Sequence, residues 1–246
     1  MSIFQEQTWI AYCWIFVAGL IASNLLKVII YKTLAENLKI SKNFYELIPI
    51  FGFFVARGKC RSCSREISVI YPIVEILNTC LYSLIYNLYG ASVETVGFCL
   101  LVSILLFIAT IDFKTMFIPN WSILLILITG LLVGSVSQDV SWLERVIGFI
   151  SAGGILLIIA VVTGGMGGGD VKLMAAVGFY LGWKLTLWSM LLAFVIGGFA
   201  GIVILASGKG KLKTEIPFGP ILVVGVISSV LFGDQMIRWY LGLFLR

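Results

Sequence analysis

Long apolar runs separated by short polar breaks dominate the chain. They fall at Trp9–Ile30, Ile67–Leu88, Thr95–Ile111, Ile118–Val133, Leu143–Val162, Val171–Leu181, Leu185–Ala206 and Ile216–Phe232. About 20 apolar residues carry a helix across a bilayer. The pattern therefore predicts an all-α polytopic membrane bundle of about eight transmembrane helices, two of them short. The tail 234–246 reads as an interfacial helix anchored by Trp239, Tyr240 and Phe244. One polar stretch, 32–66, is long enough to form a small loop domain between helices 1 and 2. Its apolar segment Leu47–Phe54 is too short to span and is expected at the membrane surface or under the bundle. Three regions follow: an amino-terminal part, 9–90; a core, 95–233; and the tail, 234–246.

Composition agrees with this pattern. The 246 residues are 60% hydrophobic and 12% charged, where soluble domains carry about 25% charged residues. Too little polar surface remains to cover a water-soluble globule. Charge then sets orientation. No Lys or Arg precedes the first run, whereas Lys27 and Lys32 follow its start, so it reads as a retained span with its amino terminus outside rather than a signal peptide. Of the 17 basic residues, twelve fall in the alternate loops 32–66, 112–117, 163–172 and 207–215. Those loops are expected to be cytoplasmic. The net charge of +5 is spread between apolar runs, a distribution that does not suit nucleic acid.

The chain has no histidine. That excludes the Ser-His-Asp triad, the Cys-His dyad and every His-ligated zinc site. Proton transfer is left to carboxylates, cysteines, lysines, tyrosines or backbone groups.

Ionisable residues within spans are functional candidates because burying them is costly. Three acids qualify: Glu75, Asp112 and Asp170. Asp112 ends one apolar run, just before Ile118-Pro-Asn120. Asp170 closes Gly164-Gly-Met-Gly-Gly-Gly-Asp170. The glycines, Gly167, Gly168 and Gly169 among them, suit a loop that an extended peptide can approach, or an anion-binding nest. A Walker loop is disfavoured, because Gly-Asp-Val-Lys stands where Gly-Lys-Ser/Thr is needed. The structural alternatives are a solvated helix-end Asp112 and an Asp170 that caps a helix starting at Val171. Helix polarity alone would make Asp170, at an amino end, the more acidic of the two. Two adjacent aspartates sharing a proton form the working parts of an aspartic protease. The same acids would also suit a proton- or cation-coupled transporter.

Several separated motifs resemble one family. Gly-Gly-Gly-Asp170, continuing Val-Lys-Leu-Met-Ala-Ala-Val-Gly178, is similar to the GxGD motif of intramembrane aspartyl proteases, and closely to the bacterial type IV prepilin leader peptidases. Asp112 with Ile118-Pro-Asn120, Arg57-Gly-Lys-Cys-Arg-Ser-Cys63, Tyr71-Pro-Ile-Val-Glu75 and Lys213-Thr-Glu-Ile-Pro-Phe-Gly-Pro220 match further motifs in the same order. The resemblance implies a peptidase of the bacterial inner membrane, with its active site facing the cytoplasm. It would remove the basic leader of type IV prepilin or pseudopilin precursors after a glycine, with Asp112 and Asp170 as the catalytic pair and no cofactor. Many relatives also N-methylate the new amino terminus with S-adenosylmethionine through the amino-terminal region, so bifunctionality is expected here. Fuller relatives carry two CxxC pairs in the loop. This chain has only Cys60 and Cys63 there, which cannot close a four-ligand zinc site, so zinc is not expected. Glu75 has two readings, as bundle glue paired with a base such as Lys213 or as a substrate contact. Lys213 and Pro217 are expected to wall the active site. Beyond the precursor, membrane lipid is the expected partner, nucleic acid is not, and the oligomeric state is left open.

Overall fold

The structure is a computed structural model that describes residues 2–34, 69–137, 139–206 and 217–244. Among these residues there are eight α-helices and no strand: α1 (Ser2–Leu34), α2 (Ile70–Tyr89), α3 (Val93–Thr115), α4 (Asn120–Val136), α5 (Trp142–Thr163), α6 (Gly168–Leu181), α7 (Trp183–Ala206) and α8 (Gly219–Phe244). Each predicted span lies largely within one of these helices. Three stretches are long and apolar enough to cross a membrane: Val93–Thr115, Trp142–Thr163 and Trp183–Val203. Residues 35–66 of the expected loop, with Cys60 and Cys63, and Lys213 lie outside the described residues, whereas 32–34 close α1.

Two expectations change. α6 begins at Gly168 rather than Val171, because the glycines before Asp170 enter the helix instead of forming a loop up to it. At 14 residues and 1.5 Å per residue it is about 21 Å long, still short of the ~30 Å hydrocarbon core. Residues 234–244 form no separate tail helix. Gly233 and Asp234 interrupt the apolar pattern but not the backbone hydrogen bonding, and α8 runs on to Phe244. The chain divides into two compact units, Met1–Thr110 and Ile111–Arg246.

In the amino-terminal unit α1 packs on α2, with Gly19 admitting the Thr79 backbone. Its interior holds a directed chain of neutral groups. The Tyr82 hydroxyl donates to Ser103 Oγ (2.9 Å), which donates to Asn78 Oδ1 (3.0 Å). The Asn78 amide donates to Ser23 Oγ (3.1 Å), and that hydroxyl donates to the Gly19 carbonyl (2.6 Å). Every donor in the chain finds an acceptor, so these buried polar groups join helices without unmatched charge.

In the carboxyl-terminal unit the short α6 is the buried centre. Leu173, Met174, Ala176 and Val177 have no exposed surface, and α6 packs against α4, α5, α7 and α8. Small residues allow this: Gly148 of α5 and Gly178 of α6 bring the two backbones into direct contact, the small-residue packing usual between helices in lipid. α5 opens with a capping box, Ser141 Oγ accepting the Glu144 N–H and Glu144 accepting the Ser141 N–H. It ends at Gly164, whose left-handed φ of 62° suits glycine. Its outer face exposes Ile150, Leu157, Ile158, Val161 and Val162, a surface suited to hydrocarbon rather than water.

Candidate active site

Four helix ends meet around two carboxylates. Asp112 lies in the last turn of α3, which stops four residues later at Met116, whose φ is 52°. Asp170 lies in the first turn of α6, three residues after the N-cap Gly167. It is therefore not the N-cap, although its own N–H bonds back to the Gly167 carbonyl (3.1 Å). Both side chains are buried, with exposures of 5% for Asp112 and 7% for Asp170. They lie close enough to act on one another electrostatically.

The glycines bring these ends together. A Cβ at Gly169 would lie 3.1 Å from Ile118 Cβ, so the Gly-Gly-Gly-Asp turn lies directly against the Ile-Pro-Asn turn that opens α4. Lys172 Nζ donates to Asn120 Oδ1 (3.3 Å) across the same junction. Gly164 and Gly168 meet nothing within 4 Å of the Cβ position, which leaves open space along the loop leading to Asp170. The start of α8 supplies the remaining wall. The Gly219 N–H donates to Asp112 Oδ2 at 3.1 Å, and Pro217 is half-buried just before it. Three helix amino termini, those of α4, α6 and α8, thus converge on a site containing two acids, and their dipoles favour negative charge there.

The amino end of α8 also lies on the Asp112 carboxylate, so helix polarity favours negative charge at both acids.

Glu75 sits on α2 in the amino-terminal unit and is 1% exposed. Its carbonyl accepts from Ser23 Oγ (3.3 Å) and Thr79 Oγ1 (2.9 Å). This places it one turn before the Asn78 network.

Two residues escaped the sequence reading. Arg145, at the start of the apolar run 143–162, is buried (2% exposed), donating to the carbonyls of Tyr180 (2.9 Å), Phe179 (3.3 Å), Val140 (3.3 Å) and Gly130 (3.4 Å). A lone Arg one turn inside an apolar run was the available signal. Gly219 was quoted only as part of a motif, and its contact with Asp112 spans 107 residues of sequence.

Among the described residues no group of three or more His, Cys, Asp or Glu is placed to hold a metal. The loop expected to serve S-adenosylmethionine lies outside the described residues.

Comparison with known proteins places the chain in a family. Residues 99–202 match the type IV leader peptidase family, and residues 17–89 match the bacterial peptidase A24 N-terminal domain. The prepilin leader peptidase/N-methyltransferase of Bacillus subtilis is 34% identical over 197 residues, covering 80% of this chain and 79% of that protein. The protein of the same name from Aeromonas hydrophila is 35% identical over 207 residues, 81% of this chain and 71% of that one. The one from Pseudomonas aeruginosa is 32% identical over 203 residues, covering 80% and 70%. No solved structure matches the chain. Two family models in sequence order and relatives matched over most of their length lead to one conclusion: the chain belongs to the type IV leader peptidase family.

Proposed function

We propose that the protein is an intramembrane aspartic endopeptidase that cleaves the basic leader of type IV prepilin-like precursors after glycine, using Asp112 and Asp170. The observation that carries this reading is the meeting of two buried carboxylates where helix ends, glycines and helix amino termini converge. On this reading the two carboxylates share one site and resist ionising together, so the pair holds one proton. The ionised member takes a proton from water as the water oxygen attacks the scissile carbonyl carbon. The protonated member gives its proton to the carbonyl oxygen. Collapse of the tetrahedral intermediate breaks the C–N bond: the proton taken from water passes to the leaving nitrogen, and one hydroxyl of the intermediate returns its proton to the other carboxylate, restoring the pair. Neither histidine nor metal enters this cycle. The uncrowded glycine stretch before Asp170 gives an extended substrate backbone a way to the pair.

The reaction is assigned to the cytoplasmic face of the bacterial inner membrane, supported by the basic loops expected on that side. The eight-span topology, with the amino-terminal region 9–90 as the methylating part, belongs to the same proposal. N-methylation of the new amino terminus with S-adenosylmethionine is supported by the names of the relatives. Peptide cleavage by the pair needs no methyl donor.

The test is mass spectrometry of a prepilin co-expressed with the wild-type chain, Asp112→Asn or Asp170→Asn. The wild type is expected to yield processed pilin heavier by one methyl group than simple cleavage predicts, and both variants only the precursor. Intact cleavage in both variants would return the acids to a cation-coupling role. Cleavage without added mass would remove the methylation half alone.

A further inference from the structure

The amino end of α8 has a peculiarity in its donors. The first four N–H groups of a helix have no partner within it. In α8, Pro220 has no N–H, while Ile221 and Leu222 both turn back to the Phe218 carbonyl (3.0 Å each). Among these four residues Gly219 alone directs an N–H away from its helix, and that N–H goes to Asp112 Oδ2 (3.1 Å). The side-chain space is equally particular. A Cβ on Gly219 would lie 2.5 Å from Asp112 Oδ2 and 2.9 Å from its Cγ, and Asp112 is too buried to swing aside freely. The junction is held from behind by α7: the Phe218 ring packs on Phe194 (5.9 Å between centroids) and fills the space that Gly197 leaves open.

We infer that Gly219 is a positioning residue for the peptidase reaction: its backbone N–H and its missing side chain together fix the Asp112 carboxylate in its working orientation toward Asp170. This rests on the reading of Asp112 and Asp170 as the catalytic pair. A backbone donor on a carboxylate oxygen removes that group's rotational freedom and favours its ionised form. A methyl group at position 219 both pushes the carboxylate and lengthens the hydrogen bond.

The test uses the full chain purified in detergent with a prepilin substrate. The variants are Gly219→Ala, Asp112→Asn, and Gly198→Ala on α7, where a Cβ meets nothing within 4 Å. Gly219→Ala is expected to lower kcat about tenfold to a hundredfold, the range for losing a hydrogen bond to a charged group. KM should stay within about twofold, and the acid limb of the pH–rate profile should move to higher pH. Gly198→Ala should match wild type, and Asp112→Asn should be inactive. Replacing Gly219 by glycolic acid, which turns the amide into an ester and removes the N–H without adding bulk, should reproduce the lower kcat and the shifted acid limb. This variant decides the matter if the alanine variant does not fold. An unchanged kcat and pH profile in the ester variant, or a loss in Gly219→Ala confined to KM or thermal stability, overturns the role of Gly219 while leaving the pair intact. Cleavage by Asp112→Asn overturns the pair itself.

Discussion

At its amino end α6 holds Asp170, and at its carboxyl end it receives Arg145 from α5. Both charges are buried, and both sit where the helix dipole favours their sign. Their surroundings differ. The Arg145 guanidinium lies among four backbone carbonyls, fits the space left by Gly134 and sits 5.8 Å from the Trp142 ring. Asp170 instead faces another acid, Asp112, beside glycines with open space around them. A fold that needed only stability would satisfy both ends alike, because an uncompensated buried charge is expensive. On the proposed function, the contrast separates a charge that holds helices together from a pair kept reactive.

The largest expected effects test that separation directly. Asp112→Asn and Asp170→Asn should each lower cleavage by about three orders of magnitude or more, and the double variant should be no worse than either, since the pair acts as a unit. Melting temperature in detergent should hold or rise, because a buried ionisable carboxyl that is costly to desolvate is replaced by a neutral amide. Loss of stability with cleavage retained would break the comparison at the acid end. Arg145→Ala should do the reverse. It strands several carbonyls and opens a hole beside Gly134, at about 3 kcal/mol or more. Denaturation curves should show that loss, while cleavage per folded molecule stays near wild type. Arg145→Lys should recover only part of it, since an ammonium lacks the planar fork.

The sequence made some of this legible and hid the rest for physical reasons. Helix positions follow from apolar runs, which is why α4, α5 and α7 fall within a few residues of expectation. The start of α6 did not follow, because the glycines of Gly167-Gly-Gly169 carry no pattern that says helix or loop. The continuation of α8 past Gly233 was hidden likewise, since hydropathy registers Asp234 but not the unbroken backbone. Asp112 and Asp170 stood out as acids within apolar sequence. The group that orients Asp112 did not, because a backbone N–H from Gly219 has no side chain to register and lies 107 residues away. The role of Arg145 was hidden because an end-of-helix cation looks the same in sequence whether it faces water or carbonyls.

The smallest effects sharpen the structural end of α6, where Glu144 serves two partners. Its Oε2 accepts the Ser141 N–H at 3.2 Å, completing the capping box, and its Oε1 receives Lys184 Nζ at 2.9 Å. Ser141→Ala removes the hydroxyl that accepts the Glu144 N–H and should cost about 1 kcal/mol, as caps usually do. Lys184 is 57% exposed, so its ion pair is screened, and Lys184→Ala should cost about 0.5 kcal/mol or less, fading further in high salt. The double variant should depart from the sum of the two, because both partners restrain one carboxylate. None of the three should alter the pH–rate profile of cleavage. A shift there from either single change would mean that the carboxyl end of α6 reaches the acids at its other end, and the division between holding and reacting would have to be redrawn along the helix.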